Sequence, residues 1–210
     1  MTLEFIISFF ITSFVLTISP GPDIMYVLST SITKGKQFGI AAAIGLSSGL
    51  LFHTTLLAFG VSTLIVASPW LYTAIKVFGT LYLLRIIYLL YSSPITPITM
   101  EDSNNSSLQN STVFQQVQQG LIMNVLNPKI MLFFLSLFST FLHPEWGNLN
   151  LQIYTLGSVF MLQALLVFSI VAYLSGFLRN YLLKYPYVQA VLNYVQIAVF
   201  ITLIVFMWLK

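Results

Sequence analysis

Thr17–Tyr26 reads TISPGPDIMY, and it interrupts an apolar run over residues 3–33 that is otherwise long enough to cross a bilayer. A spanning helix needs about 20 apolar residues. Pro20, Gly21, Pro22 and Asp23 suit the middle of such a helix badly. Proline supplies no N–H and disrupts the turn before it. The carbonyls left over are tolerated in lipid only where protein or water covers them. Gly21, however, can cap a fresh helix with Pro22 at its first position. That start would present free N–H groups and positive dipole charge near mid-membrane, which suits an anionic group.

Outward from this stretch, the same arrangement recurs. Asn127-Pro128-Lys129 again places a capping residue, a proline and a charge inside a long apolar run, here residues 114–142. Four further apolar segments lie at about 38–66, 70–91, 151–176 and 187–209. A polar stretch rich in Ser, Asn and Pro divides the six segments into two sets of three. The expected organisation is therefore a first three-helix repeat over 1–91, a polar cytoplasmic linker over 92–113 and a second repeat over 114–210. Asn104, Asn105 and Asn110 open Asn-x-Ser/Thr triplets in the linker. In a bacterial or cytosolic loop these carry no meaning.

The composition supports an integral membrane protein. Apolar types make up 58% of the 210 residues and charged types 6%, against about a quarter charged in soluble domains. A net charge of +3 is too small and scattered for a nucleic-acid surface. The absence of cysteine excludes disulfides, thiolate metal sites and cysteine nucleophiles. MTLEFIISFF lacks a basic n-region, so it predicts a retained helix rather than a cleaved signal. Lys34, Lys36, Arg179 and Lys184 follow segments one and five, whereas the turns after segments two and four carry no Lys or Arg. The positive-inside rule then puts both termini outside. Three spans per half give the halves opposite orientation, the inverted-repeat plan of many secondary transporters. The expected fold is all-α, with six transmembrane helices as two inverted three-helix repeats and helices one and four broken at proline.

Charges inside a membrane are usually functional. Asp23, in the first turn of the restarted helix, is a candidate to bind a substrate ammonium group or a coupling proton. Lys129 would bind a carboxylate or keep Asp23 ionised; the plainer alternative is a structural Asp23–Lys129 pair locking the repeats. With the caps and prolines Gly21, Pro22, Asn127 and Pro128, these define the candidate substrate or ion site. Asn124 shares a helix face with Asn127 and could reach a substrate or cap the disrupted carbonyls. Gly45 and Gly49 form G-x-x-x-G, which predicts helix packing first and a substrate path second, and this face could also serve a homodimer. His53 lies one turn further on, either as a proton relay or as a histidine hydrogen-bonded between helices. Gln163, a lone amide in segment five, predicts an interhelical hydrogen bond.

The residues also carry a family resemblance. SPGPD at Ser19–Asp23, the basic turn TKGKQFG, the glycine helix IGLSSGLLFH, KVFGTLYLL at Lys76–Leu84 and QGLIMNVLNPKIMLFFL at Gln119–Leu135 occur in order over nearly the whole chain. In this the chain resembles the LysE/RhtB family of bacterial amino-acid exporters. Arg85, Ile87 and a last segment without glycine depart from the family pattern. The resemblance implies export of amino acids or close relatives from the cytoplasm, driven by proton motive force, with no cofactor. It also implies the bacterial cytoplasmic membrane as location, with amino acid, protons and lipid as partners. A divalent-cation transporter on a related fold is the alternative, but it would want several converging carboxylates. An intramembrane hydrolase is disfavoured, since there is no H-E-x-x-H and Ser48 and His53 are five apart on a helix. The chain is thus expected to be a transporter and not an enzyme, without a metal site.

Overall fold

The structure, a computed structural model, describes the backbone of residues 2–18, 21–67, 69–92, 112–185 and 187–209. The side chains at 61–67, 69, 71, 72, 75, 128, 129, 132, 133, 135, 139, 182, 183, 189, 206 and 207 fall outside the description. So do linker residues 93–111, with Asn104, Asn105 and Asn110.

The described residues are helical apart from short connections, with no strand among them. The first apolar run is two helices, α1 (Leu3–Ile18) and α2 (Pro22–Lys34), meeting at 56°. Proline is the cause of the bend. Next come α3 (Lys36–Ala67) and α4 (Pro69–Ser92). The second broken run gives α5 (Val113–Val125) and α6 (Pro128–Phe141). A 3-10 turn at Pro144–Trp146 leads to α7 (Leu149–Tyr173), α8 (Ser175–Lys184) and α9 (Tyr187–Leu209). Six of these stretches, with the broken pairs counted as one each, fall on the six apolar segments. The short helix α8 is an addition that hydropathy does not show, because SGFLRNYLLK is mixed in polarity.

Length decides what each helix can do. The 25-residue α7 and residues 36–60 of α3 are long and apolar enough to cross a membrane singly. At 1.5 Å per residue, the halves of a broken run reach only about 20–24 Å, short of a hydrocarbon core of about 30 Å. The α1–α2 pair passes in series as a third candidate span.

Helix α3 is the centre of the bundle, packed most extensively on α5 and α7, while α4 lies on α9 and α6. Lipid tails are as apolar as leucine, so close packing rather than the hydrophobic effect holds such helices together. Small residues provide the closeness. A Cβ added at Gly45 would lie 2.1 Å from the Val117 carbonyl oxygen, and one at Gly120 would lie 2.6 Å from that of Ala42. A Cβ at Gly157 would meet the Thr54 side chain at 2.4 Å, which sets the α3–α7 approach. Gly35, with φ of +98°, ends α2 and allows the immediate start of α3.

Candidate functional site

Each break is built as the sequence chemistry dictates. Gly21 is extended, with φ −155° and ψ 174°, and its carbonyl accepts the first bond of α2 from Met25 N–H at 3.0 Å. Pro22 occupies the first helical position. At the second break the Asn127 carbonyl accepts from Ile130 and Met131 N–H, at 3.1 and 3.3 Å. Asn127 therefore stands at the cap of α6. The backbone of Pro128 and Lys129 forms the first turn of α6, but the expected roles of both side chains lie outside the described residues.

A cavity of about 80 Å³ lies at the two breaks. Leu16 and Thr17 at the end of α1, and Gly21, Pro22, Asp23 and Ile24 at the start of α2, form one side of it. Asn124 near the end of α5 and Ile130 in the first turn of α6 also line it. The rest of the wall is Leu50 of α3, Phe160, Ala164 and Phe168 of α7, and Gln196 and Phe200 of α9. The cavity volume exceeds the roughly 10–15 Å³ that a single water needs, so there is room for water or one small solute. Asp23 is the only charged side chain among the described lining residues.

The remaining sequence candidates stand behind this wall. His53 is 3% exposed, and its Nε2–H donates to the Asn124 carbonyl at 3.1 Å. That carbonyl also accepts from Asn127 N–H at 3.0 Å. A histidine from α3, rather than the Asn124 amide, thus meets the backbone where α5 ends. The Asn124 side chain lies against Gly49, where an added Cβ would be 2.4 Å from its Oδ1. Gly45 and Gly49 thereby seat α5 on α3 within the chain, so this face is occupied and not available to a second copy.

Two polar clusters flank the cavity. Ser13 donates to Gln163 Oε1 at 2.7 Å, and Gln163 Nε2 donates to Thr17 Oγ1 at 3.1 Å, joining α1 to α7. This is the interhelical role expected of a lone amide. On the other side, Lys34 Nζ donates to Gln116 Oε1 at 3.1 Å, and Gln116 Nε2 donates to the Tyr26 hydroxyl. Beyond the α1 side, aromatic rings close ranks: Phe9 packs edge-on to Phe138 and Phe141, and Phe134 stacks on Phe160 at 5.3 Å.

Sequence reasoning missed Thr17 and Gln196 as parts of the wall. The available signal for Gln196 was its place as the last amide of α9, after Gln189 and Asn193 and just before an apolar run.

Described residues that are almost all helical, helices long and apolar enough to cross a membrane, and a small cavity where helices restart make the build of a membrane transporter. The family model described as LysE type translocator matches residues 14–210, and the chain belongs to that family. Among its relatives, the uncharacterized membrane protein YrhP of Bacillus subtilis is 29% identical over 174 residues, covering 80% of this chain and 81% of that one. The uncharacterized membrane protein PA4757 of Pseudomonas aeruginosa is 29% identical over 71% of this chain and 69% of its own. The uncharacterized membrane protein YahN of Escherichia coli is 30% identical over 69% of this chain and 61% of its own. No solved structure matches the chain.

Proposed function

We propose that the chain is a secondary active transporter that exports amino acids or close derivatives across the bacterial cytoplasmic membrane, coupled to protons. The carrying observation is the cavity, which takes residues from both helix breaks together with the carboxylate of Asp23. An amino acid needs one partner for its ammonium group and one for its carboxylate. Asp23 can supply the first. The restarted helices can supply the second, since their opening N–H groups have no carbonyl one turn earlier. Lys129, in the first turn of α6, would add positive charge for the carboxylate or hold Asp23 ionised.

The broken pairs α1–α2 and α5–α6 would each act as one span, which with α3, α4, α7 and α9 makes six. Two inverted three-helix repeats would then rock about the cavity, with both termini outside and the 92–113 linker in the cytoplasm. A divalent cation is the weaker reading. Calcium takes six to eight oxygen ligands, whereas the described lining residues include one carboxylate, and no group of three His, Cys, Asp or Glu suited to a metal occurs among the described residues.

Counterflow in proteoliposomes under an imposed pH gradient tests the reading. Wild type should carry one or a few labelled amino acids, and Asp23→Asn should lower that flux by tenfold or more without loss of folded protein. Gradient-independent flux, or full activity in Asp23→Asn, would rule out the assigned role of the carboxylate.

A further inference from the structure

Four glutamines are buried among the described residues, namely Gln116, Gln152, Gln163 and Gln196. Three have both ends of the amide satisfied. Gln116 is held by Lys34 and Tyr26, and Gln163 by Ser13 and Thr17. Gln152 bonds both the N–H and the carbonyl of His143, at 3.1 and 2.9 Å. Gln196 is the exception: it is 2% exposed, and its Oε1 has no hydrogen-bond partner. It is also the one of the four that lines the cavity. A buried amide oxygen without a donor is costly, and native structures rarely keep one without a reason.

We propose that Gln196 sets the side-chain selectivity of the cavity, by hydrogen bonding to the side chain of a small amino acid whose side chain is polar but uncharged. This inference rests on the amino-acid reading above and names the substrate class within it. Gln196 comes from α9, which belongs to neither helix break, so it addresses a part of the ligand other than the ammonium and carboxylate. The other residues that α7 and α9 give to the wall are apolar, namely Phe160, Ala164, Phe168 and Phe200. Asp23 balances the ammonium group, and the described wall holds no further charge to balance a charged side chain. The volume of about 80 Å³ has room for a small ligand. A site built to hydrogen-bond a ligand group rejects the isostere that lacks it, because the protein group is then left unpaired.

Isosteric pairs isolate this effect. Counterflow of a labelled amino-acid mixture into proteoliposomes would be competed by unlabelled threonine or valine, and by asparagine or leucine. Wild type should favour the polar member of at least one pair by about tenfold or more. Gln196→Leu should reduce that preference to within about twofold while transport continues, and Gln196→Met serves the same comparison if the leucine variant does not fold. Equal competition by both members of each pair in wild type, or an unchanged preference in a folded variant, would overturn the assignment of Gln196 while leaving amino-acid transport intact. If no amino acid competes or is carried by folded wild type, the transport reading itself fails and this one with it.

Discussion

At the residue scale, the glycines of α3 divide by what surrounds them. An added Cβ at Gly45 runs into the Val117 backbone, at 2.1 Å from O and 2.9 Å from C. Backbone cannot rotate away, so α3 and α5 would have to separate. Gly60, in the same helix, has nothing within 4 Å among the described residues. Alanine favours a helix over glycine by up to about 1 kcal/mol, while overpacking costs about 1–3 kcal/mol. Gly45→Ala should therefore lower the melting temperature in detergent by several degrees, and Gly60→Ala should leave it unchanged or raise it. Equal effects of the two substitutions would contradict the packing account. The role of Gly45 is legible in the sequence, because small residues four apart announce a close helix contact. That α5 is the neighbour is not legible, since Gly120 stands alone without a second small residue at that spacing. His53 shows the same limit. Its burial is foreseeable from its apolar surroundings, but its bond to the Asn124 carbonyl depends on two helices 71 positions apart in the chain.

At the element scale, the breaks are what the sequence declares most clearly. Gly-Pro and Asn-Pro restart helices at Pro22 and Pro128 because caps and prolines act locally. The start of α5 was equally readable. Thr112 and Gln115 form a capping box, with Thr112 Oγ1 accepting from Gln115 N–H at 3.2 Å and Gln115 Oε1 accepting from Thr112 N–H at 2.8 Å. The T-x-x-Q pattern signals it, yet an apolar count alone starts this helix one residue late. If the first break exists for function, repairing it should separate stability from activity. An interior proline costs a helix about 3 kcal/mol. The triple substitution Pro20→Leu, Gly21→Ala, Pro22→Leu lets α1 continue toward α2, so thermal stability should hold or rise. Transport should fall at least tenfold, because the helix start and the cavity wall at Gly21 and Pro22 would be lost. A straightened variant that still transports at the wild-type rate would reduce the break to a packing feature.

For the whole molecule, the cavity sits between two differently made ends. Toward the start of α1, Phe5 packs on Phe141 at 5.3 Å and on Trp146 at 4.8 Å, and Trp146 stacks on His143 at 3.9 Å. Toward the end of α2, Gln116 ties Tyr26 to Lys34, and Lys36 lies 4.7 Å from the Tyr173 ring centre. One end is an aromatic cluster beside the His143–Glu145 pair; the other is polar and carries Lys34 and Lys36. On the proposed function these ends would be two gates that open in turn, the basic one to the cytoplasm. The chain has no cysteine, so a single introduced thiol reports access without background. Ala164 lines the cavity and is 1% exposed, so Ala164→Cys places that thiol in the wall. In vesicles of both orientations, a membrane-impermeant thiol reagent should label it from either side, at rates that a pH gradient shifts in opposite directions. A carried amino acid at saturation should slow both by severalfold. Reaction from one side only, under every gradient, would describe a pocket with a single mouth, and alternating access about the two breaks would then be wrong.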